Sequence, residues 1–181
     1  ISIPYGNIHL KMCESGYGRG RRHVKEKTPI VVTSNGGAPL DQNIYQTVKG
    51  LCTADAAAGG GVIIICAECA DGTGGEDFYQ ALKNCDSIKQ LLENIRSTPM
   101  NETVPDQWQY QIPARIPGKK RVIYLTDSRL EPVIRAMKME YAPTLEEAFA
   151  MAGNQVGNVE ITANLHHAQP AVERAAWPSM L

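Results

Sequence analysis

The chain has 181 residues, a formal net charge of −1 and 20% charged side chains. That length fits one domain with a real apolar core, and the near-neutral charge gives no electrostatic reason to hold nucleic acid or an anionic membrane. Five cysteines, an odd number without the density of a disulfide scaffold, suit reduced thiols and a cytoplasmic setting; no apolar run reaches the ~18 residues of a membrane span.

Ile1 to Met12 alternates loosely around Pro4 and Gly6, which predicts an edge strand or hairpin. It lacks the basic start and apolar core of a signal peptide. Glu14 to His23 holds three glycines and three arginines in ten residues. It predicts a flexible, solvated connection, although its basic cluster could hold a phosphate. From Thr28 the pattern is strand and helix in alternation. Pro29 to Ser34 is the first strand and runs into the turn Ser34-Asn35-Gly36-Gly37. Asp41 or Asn43 then caps a helix from about Asn43 to Ala57. Gly59-Gly60-Gly61 ends that helix and opens a second strand, Val62 to Ala67, whose unbroken apolar run suits a strand covered on both faces.

Asp71-Gly72-Thr73-Gly74-Gly75 turns into a helix over about Glu76 to Cys85, and another follows from Asp86, an N-cap candidate, through Ile95. Pro99 and Pro105 bound a loop, and Asp106 to Ile112 forms a short helix carrying Trp108. A third strand spans Val122 to Leu125. Asp127 or Ser128 caps a helix reaching about Met137, and Met139 to Tyr141 is a short fourth strand. Thr144 to Glu147 fits a capping box for a helix to Ala152. Asn158 to Ala163 is the last strand, and the tail from His166 to Leu181 has no clear period. The expected fold is α/β, a three-layer sandwich with a mainly parallel sheet and helices on both faces. Such a sheet places the strand-end loops on one rim, which would gather Asn35 to Lys49, Asp71 to Gly75, and Asp127.

Tyr45, Gln46 and Lys49 stand out chemically. Gln46 and Lys49 are three apart on the first helix, so both project from one face, with Tyr45 one turn before Lys49. An aromatic, an amide and an ammonium at the carboxyl end of a strand is where open α/β sheets bind ligands; an ordinary surface lysine is the plainer alternative. The Asp71–Gly75 loop offers backbone amides to an anion or simply makes a tight turn, and it matches neither a Walker loop nor a dinucleotide fingerprint. Cys66-Ala67-Glu68-Cys69 has redox or zinc spacing. Cys66 lies inside an apolar strand and no second pair accompanies it, so buried thiol packing is expected. His9, His23, His166 and His167 have no metal-binding spacing, and no metal site is expected.

The segment from Ser34 to Gly50, SNGGAPLDQNIYQTVKG, closely resembles the signature of the C-terminal domain of nickel-dependent lactate racemases. Gly59 to Tyr79, GGGVIIICAECADGTGGEDFY, is similar to the segment that follows it in that family. The resemblance covers roughly Lys25 to Ala163. It implies that Tyr45, Gln46 and Lys49 face a bound 2-hydroxy acid and the cofactor, that Trp108 closes the pocket, and that Gly72, Gly74 and Gly75 approach the cofactor through their backbone. The family's cofactor is a nickel-pincer nucleotide. Its metal-binding histidine, cofactor-linked lysine and catalytic histidine pair belong to the N-terminal domain and have no counterpart here. Ile3 to Met12, IPYGNIHLKM, resembles the start of full-length members, yet the C-terminal domain begins within about fifteen residues of it, so most of the N-terminal domain is expected to be missing.

The expected organisation is a strand segment at 1–13, a connection at 14–24, the racemase-like domain at 25–165 and a tail at 166–181. The expected function is the substrate side of a 2-hydroxy acid racemase or epimerase, with no catalytic residue or metal ligand of its own, inactive and binding no cofactor alone, and prone to self-association. A stand-alone organic-anion binding module and a protein–protein module are the competing readings.

Overall fold

The computed structural model describes residues 28–153 and 159–163. Five strands form one sheet: β1 (Thr28–Ser34), β2 (Ala58–Cys66), β3 (Arg121–Leu125), β4 (Glu140–Ala142) and β5 (Val159–Ala163). Every neighbouring pair is parallel, in the order β4-β3-β2-β1-β5. Among the described residues six helices connect them: α1 (Ile44–Ala57), α2 (Glu76–Asn84), α3 (Ile88–Ser97), α4 (Gln107–Arg115), α5 (Glu131–Ala136) and α6 (Leu145–Ala152).

The period of two along each strand sends alternate residues to opposite faces. Val31, Ile63, Ile65, Val122 and Tyr124 face one layer, where α1 to α5 contribute Ile44, Leu51, Phe78, Leu91, Ala114 and Ile134. Ile30, Val32, Val62, Ile64 and Ile123 face the other, where Ala148 of α6 packs. Both faces are therefore covered, which is why the strands are apolar throughout rather than alternating. The α/β expectation holds.

Several boundaries differ for local physical reasons. Gly59 and Gly61 lie within β2 rather than before it. A side chain at Gly61 would collide with the Pro29 carbonyl, and the β1–β2 register shifts between Thr28 and Ile30. Ser87, not Asp86, caps α3: its hydroxyl accepts the Gln90 amide at 3.2 Å. Helix α4 runs through Pro113 to Arg115 instead of stopping at Ile112. Asp127 caps a short 3-10 turn, Ser128–Leu130, and α5 begins only after it. Thr144 caps α6 through the Glu147 amide at 3.2 Å. The expectations for the first 27 residues, for all four histidines and for the tail lie outside the described residues.

The topology selects one rim. From β1 the chain steps outward to β2, β3 and β4, then α6 crosses the opposite face and returns the chain to β5, on the other side of β1. The order thus reverses at β1, and the crevice outside the carboxyl end of such a strand is where open α/β sheets bind ligands.

Candidate functional site

The segment leaving β1 at this switch point, residues 35–43, is laced to the one leaving β2. The Asp41 carbonyl accepts the Cys69 amide at 3.0 Å, and the Gln42 carbonyl accepts the Asp71 amide at 2.9 Å. Of the two cap candidates, Asp41 reaches the Glu68 amide at 3.1 Å through its buried carboxylate. Asn43 is the cap, its Oδ1 accepting the Gln46 amide at 3.0 Å. The preceding amides of α1, on Ile44 and Tyr45, donate to the Gly72 and Thr73 carbonyls at 2.9 and 3.0 Å. The glycine loop therefore satisfies the start of α1, and the helix N-terminus offers no free amide cradle there.

The loop glycines differ from one another. A Cβ on Gly74 would collide with the Asn43 amide, and one on Gly75 would sit 3.1 Å from the Tyr45 ring. At Gly72, φ is +71° and a Cβ would meet nothing within 4 Å. Backbone conformation demands glycine at Gly72, whereas Gly74 answers to both conformation and packing.

On this base stand the three α1 side chains. Tyr45 is half-buried and meets Phe78 edge to face, with centroids 5.5 Å apart. Burial, and secondarily the Asp106 carboxylate, raises its phenol above the ordinary tyrosine range, so it remains a hydrogen-bond donor at neutral pH. Lys49 is exposed and donates to Gln46 Oε1 at 2.7 Å. Helix α4 lies against the start of α1, because the buried Gln109 donates to the Tyr45 carbonyl at 2.6 Å. Trp108, the neighbour of Gln109, is 59% exposed. The rim thus carries Tyr45, Gln46 and Lys49 on the first two turns of α1, with Trp108 on the first turn of α4. Gln109 and Asp106 escaped sequence reasoning; their proximity to Trp108 was the only available signal.

The remaining candidates have local duties. Cys66 and Cys69 are free thiols that burial pushes up to about 11 and about 12, so neither is a thiolate at neutral pH. Asp127 holds Arg129 at 3.0 Å, and that guanidinium lowers the carboxyl below its ordinary range. Among the described residues no group of three His, Cys, Asp or Glu side chains gathers to hold a metal ion. A cavity of about 380 Å³ lies on the opposite, amino rim. Of its four cations, Lys119, Lys120, Arg121 and Lys138, three are engaged within the fold: Lys120 binds Asp55, Arg121 binds Glu140, and Lys138 binds the Lys83 and Ala136 carbonyls.

An all-parallel sheet covered by helices on both faces, its strand order reversing at β1, defines an open α/β domain of the doubly wound class. The chain belongs to the lactate racemase C-terminal domain family, which matches residues 24–165. It is 47% identical to the lactate racemase of Thermoanaerobacterium thermosaccharolyticum over 151 residues, 83% of this chain and 35% of that protein. Identity to the lactate racemase of Lactiplantibacillus plantarum is also 47%, over 124 residues, 68% of this chain and 29% of the relative. The solved structure of the T. thermosaccharolyticum lactate racemase apoprotein superposes with a TM-score of 0.73 at 43% identity, covering 84% of this chain and 37% of the other. The chain thus spans about a third of the length of these relatives.

Proposed function

We propose that this chain is the substrate-side domain of a lactate racemase-like 2-hydroxy acid racemase or epimerase. The observation that carries the reading is the hydrogen-bonded Gln46–Lys49 pair beside Tyr45, over the carboxyl end of β1. Lys49 supplies a charge for the substrate carboxylate. Its contact takes Gln46 Oε1 as acceptor and leaves the Gln46 NH2 free to donate to a second substrate oxygen. The Tyr45 phenol, beside Asp106, adds a polar contact for substrate or cofactor, and the Trp108 indole makes an apolar wall.

Racemisation has to break the Cα–H bond of lactate and return hydrogen to the opposite face. The adjacent carboxylate disfavours a carbanion, so loss of Cα hydride together with the hydroxyl proton is the easier route, and it leaves pyruvate. A nickel-pincer nucleotide supplies the hydride acceptor in this reading. In this reading the metal is held by the remainder of the racemase. Gly72, Gly74 and Gly75 lie on the same rim, with Gly72 the open point for a backbone approach. The contribution of this chain is to orient the substrate, an effect worth up to ~7–11 kcal/mol in ideal cases. Met100, Val104 and Trp108 are each exposed in the stretch that leads into α4, and in this reading the completing part covers them.

The test has two arms. Alone, the chain should not change the optical rotation of D- or L-lactate. Mixed with the separately produced remainder of a homologous racemase, it should restore racemisation, and Lys49→Ala should lower the restored rate at least 100-fold. Restored racemisation indifferent to Lys49 would refute the assigned roles. Lactate binding that never leads to turnover in the mixture would favour the binding module instead.

A further inference from the structure

Helix α1 contains a glycine, Gly50, in its second turn, where glycine weakens a helix. The reason is Asn35, the first residue after β1, which is 2% exposed. Its Nδ2 donates to the Leu40 carbonyl at 2.8 Å and to the Gln46 carbonyl at 2.6 Å, while its Oδ1 accepts the Gly50 amide at 2.9 Å. Gln46 C=O and Gly50 N–H are the i and i+4 groups that close one turn of an α-helix. One side-chain amide therefore spans both ends of a helical hydrogen-bond pair, using both of its donors and one acceptor position. A Cβ on Gly50 would lie 2.7 Å from Asn35 Oδ1, so only glycine admits the bracket. These contacts tie both backbone groups of that turn to the first residue after β1. The bracketed turn is the one from which Gln46 and Lys49 project.

We propose that Asn35, matched to Gly50, is a positioning residue that registers the Gln46–Lys49 pair to the end of β1 for carboxylate binding. The proposal rests on the racemase reading of that pair, but its structural half can be tested without it. Asn35→Ala leaves the Gln46 and Leu40 carbonyls without their buried donor, and Gly50→Ala collides with Asn35, so each alone should lower the melting temperature. The double variant N35A/G50A removes the collision and gains a better helix former. It should melt above either single variant while lacking the bracket.

Two readouts follow on the folded double variant. By NMR, the Gln46 side-chain amide signals, which report its contact with Lys49, should move toward those of free glutamine. In racemase reconstituted with the remainder of a homologue, KM for lactate should rise at least tenfold, with a smaller change in kcat. Asn35→Asp keeps the Gly50 acceptor but loses both donors, and should not rescue KM. Unchanged Gln46 signals, or an unchanged KM in the folded double variant, would overturn the positioning role. If reconstitution with the wild-type chain gives no racemisation, the racemase reading fails, and the Gln46 signals still decide whether the bracket positions the pair.

Discussion

Gly74→Ala tests whether the glycine loop is shaped by its own packing. Two penalties add at this position. The backbone sits at φ +76°, and holding an L-residue in the left-handed region costs about 1–2 kcal/mol. The new Cβ also occupies the place of the Asn43 amide, so Asn43 has to swing away and release the Gln46 N–H it caps at 3.0 Å. Loss of an N-cap costs about 1 kcal/mol. The sum is roughly 2–3 kcal/mol, which at ~2–4 °C per kcal/mol for a chain of this length lowers the melting temperature by roughly 5–10 °C. Gly72→Ala is the control, since Gly72 has nearly the same backbone (φ +71°) with open space where its Cβ would go. It should cost only the conformational share. Urea and thermal unfolding followed by circular dichroism measure both variants. In an Asn43→Ala background the cap is already gone, and Gly74→Ala should then cost no more than Gly72→Ala. Equal losses for the two glycine variants in the native background, or a full Gly74 penalty without Asn43, would refute the packing explanation.

Alkaline stability should report the two thiols near the end of β2. Cys66 and Cys69 hold their protons more tightly folded than unfolded, because burial raises them to about 11 and about 12. Their contribution is complete below the ordinary thiol pKa, and declines as pH rises through ~9 toward those folded values, at up to ~1.4 kcal/mol per pH unit for each thiol. Unfolding free energy measured between pH 8 and 10.5 should fall less steeply in a Cys66→Ala/Cys69→Ala variant; an identical slope would contradict the burial argument. Lys120 is a second check. Its ammonium donates to the Asp55 carbonyl and carboxylate, both at 2.6 Å, with the lysine side chain 9% exposed. Lys120→Met should cost about 1–2 kcal/mol, because Asp55 stays hydrated while its carbonyl loses a donor. A double-mutant cycle with Asp55→Asn measures the coupling, and a value near zero would make the pair incidental.

The amino-acid order alone determined the parallel α/β architecture, and it did so through local chemistry. Val62 to Ile65 is too apolar for a strand with a wet face, and Asn43 and Thr144 stand at helix starts where a side-chain oxygen meets free amides. The helical spacing of Gln46 and Lys49 likewise made their common face readable, and the contact between them is what the structure adds. What local chemistry could not rank were competing short-range partners. Asp41 and Asn43 are both good caps, and Asp41 was claimed by the Glu68 amide, 27 positions away. Asp86 reads as the cap of α3, yet its neighbour Ser87 takes that place. Pro113 reads as a helix stop, yet α4 continues through it with Tyr110, Pro113 and Ala114 buried. Asn35 before two glycines reads as a turn residue, and Gln109 as a polar helix position. Only the folded chain shows both buried, because their partners on α1 lie 11, 15 and 64 positions away. A polar side chain is buried only when distant backbone groups arrive to satisfy it, and that arrival is decided by how the layers pack rather than by its neighbours in the chain.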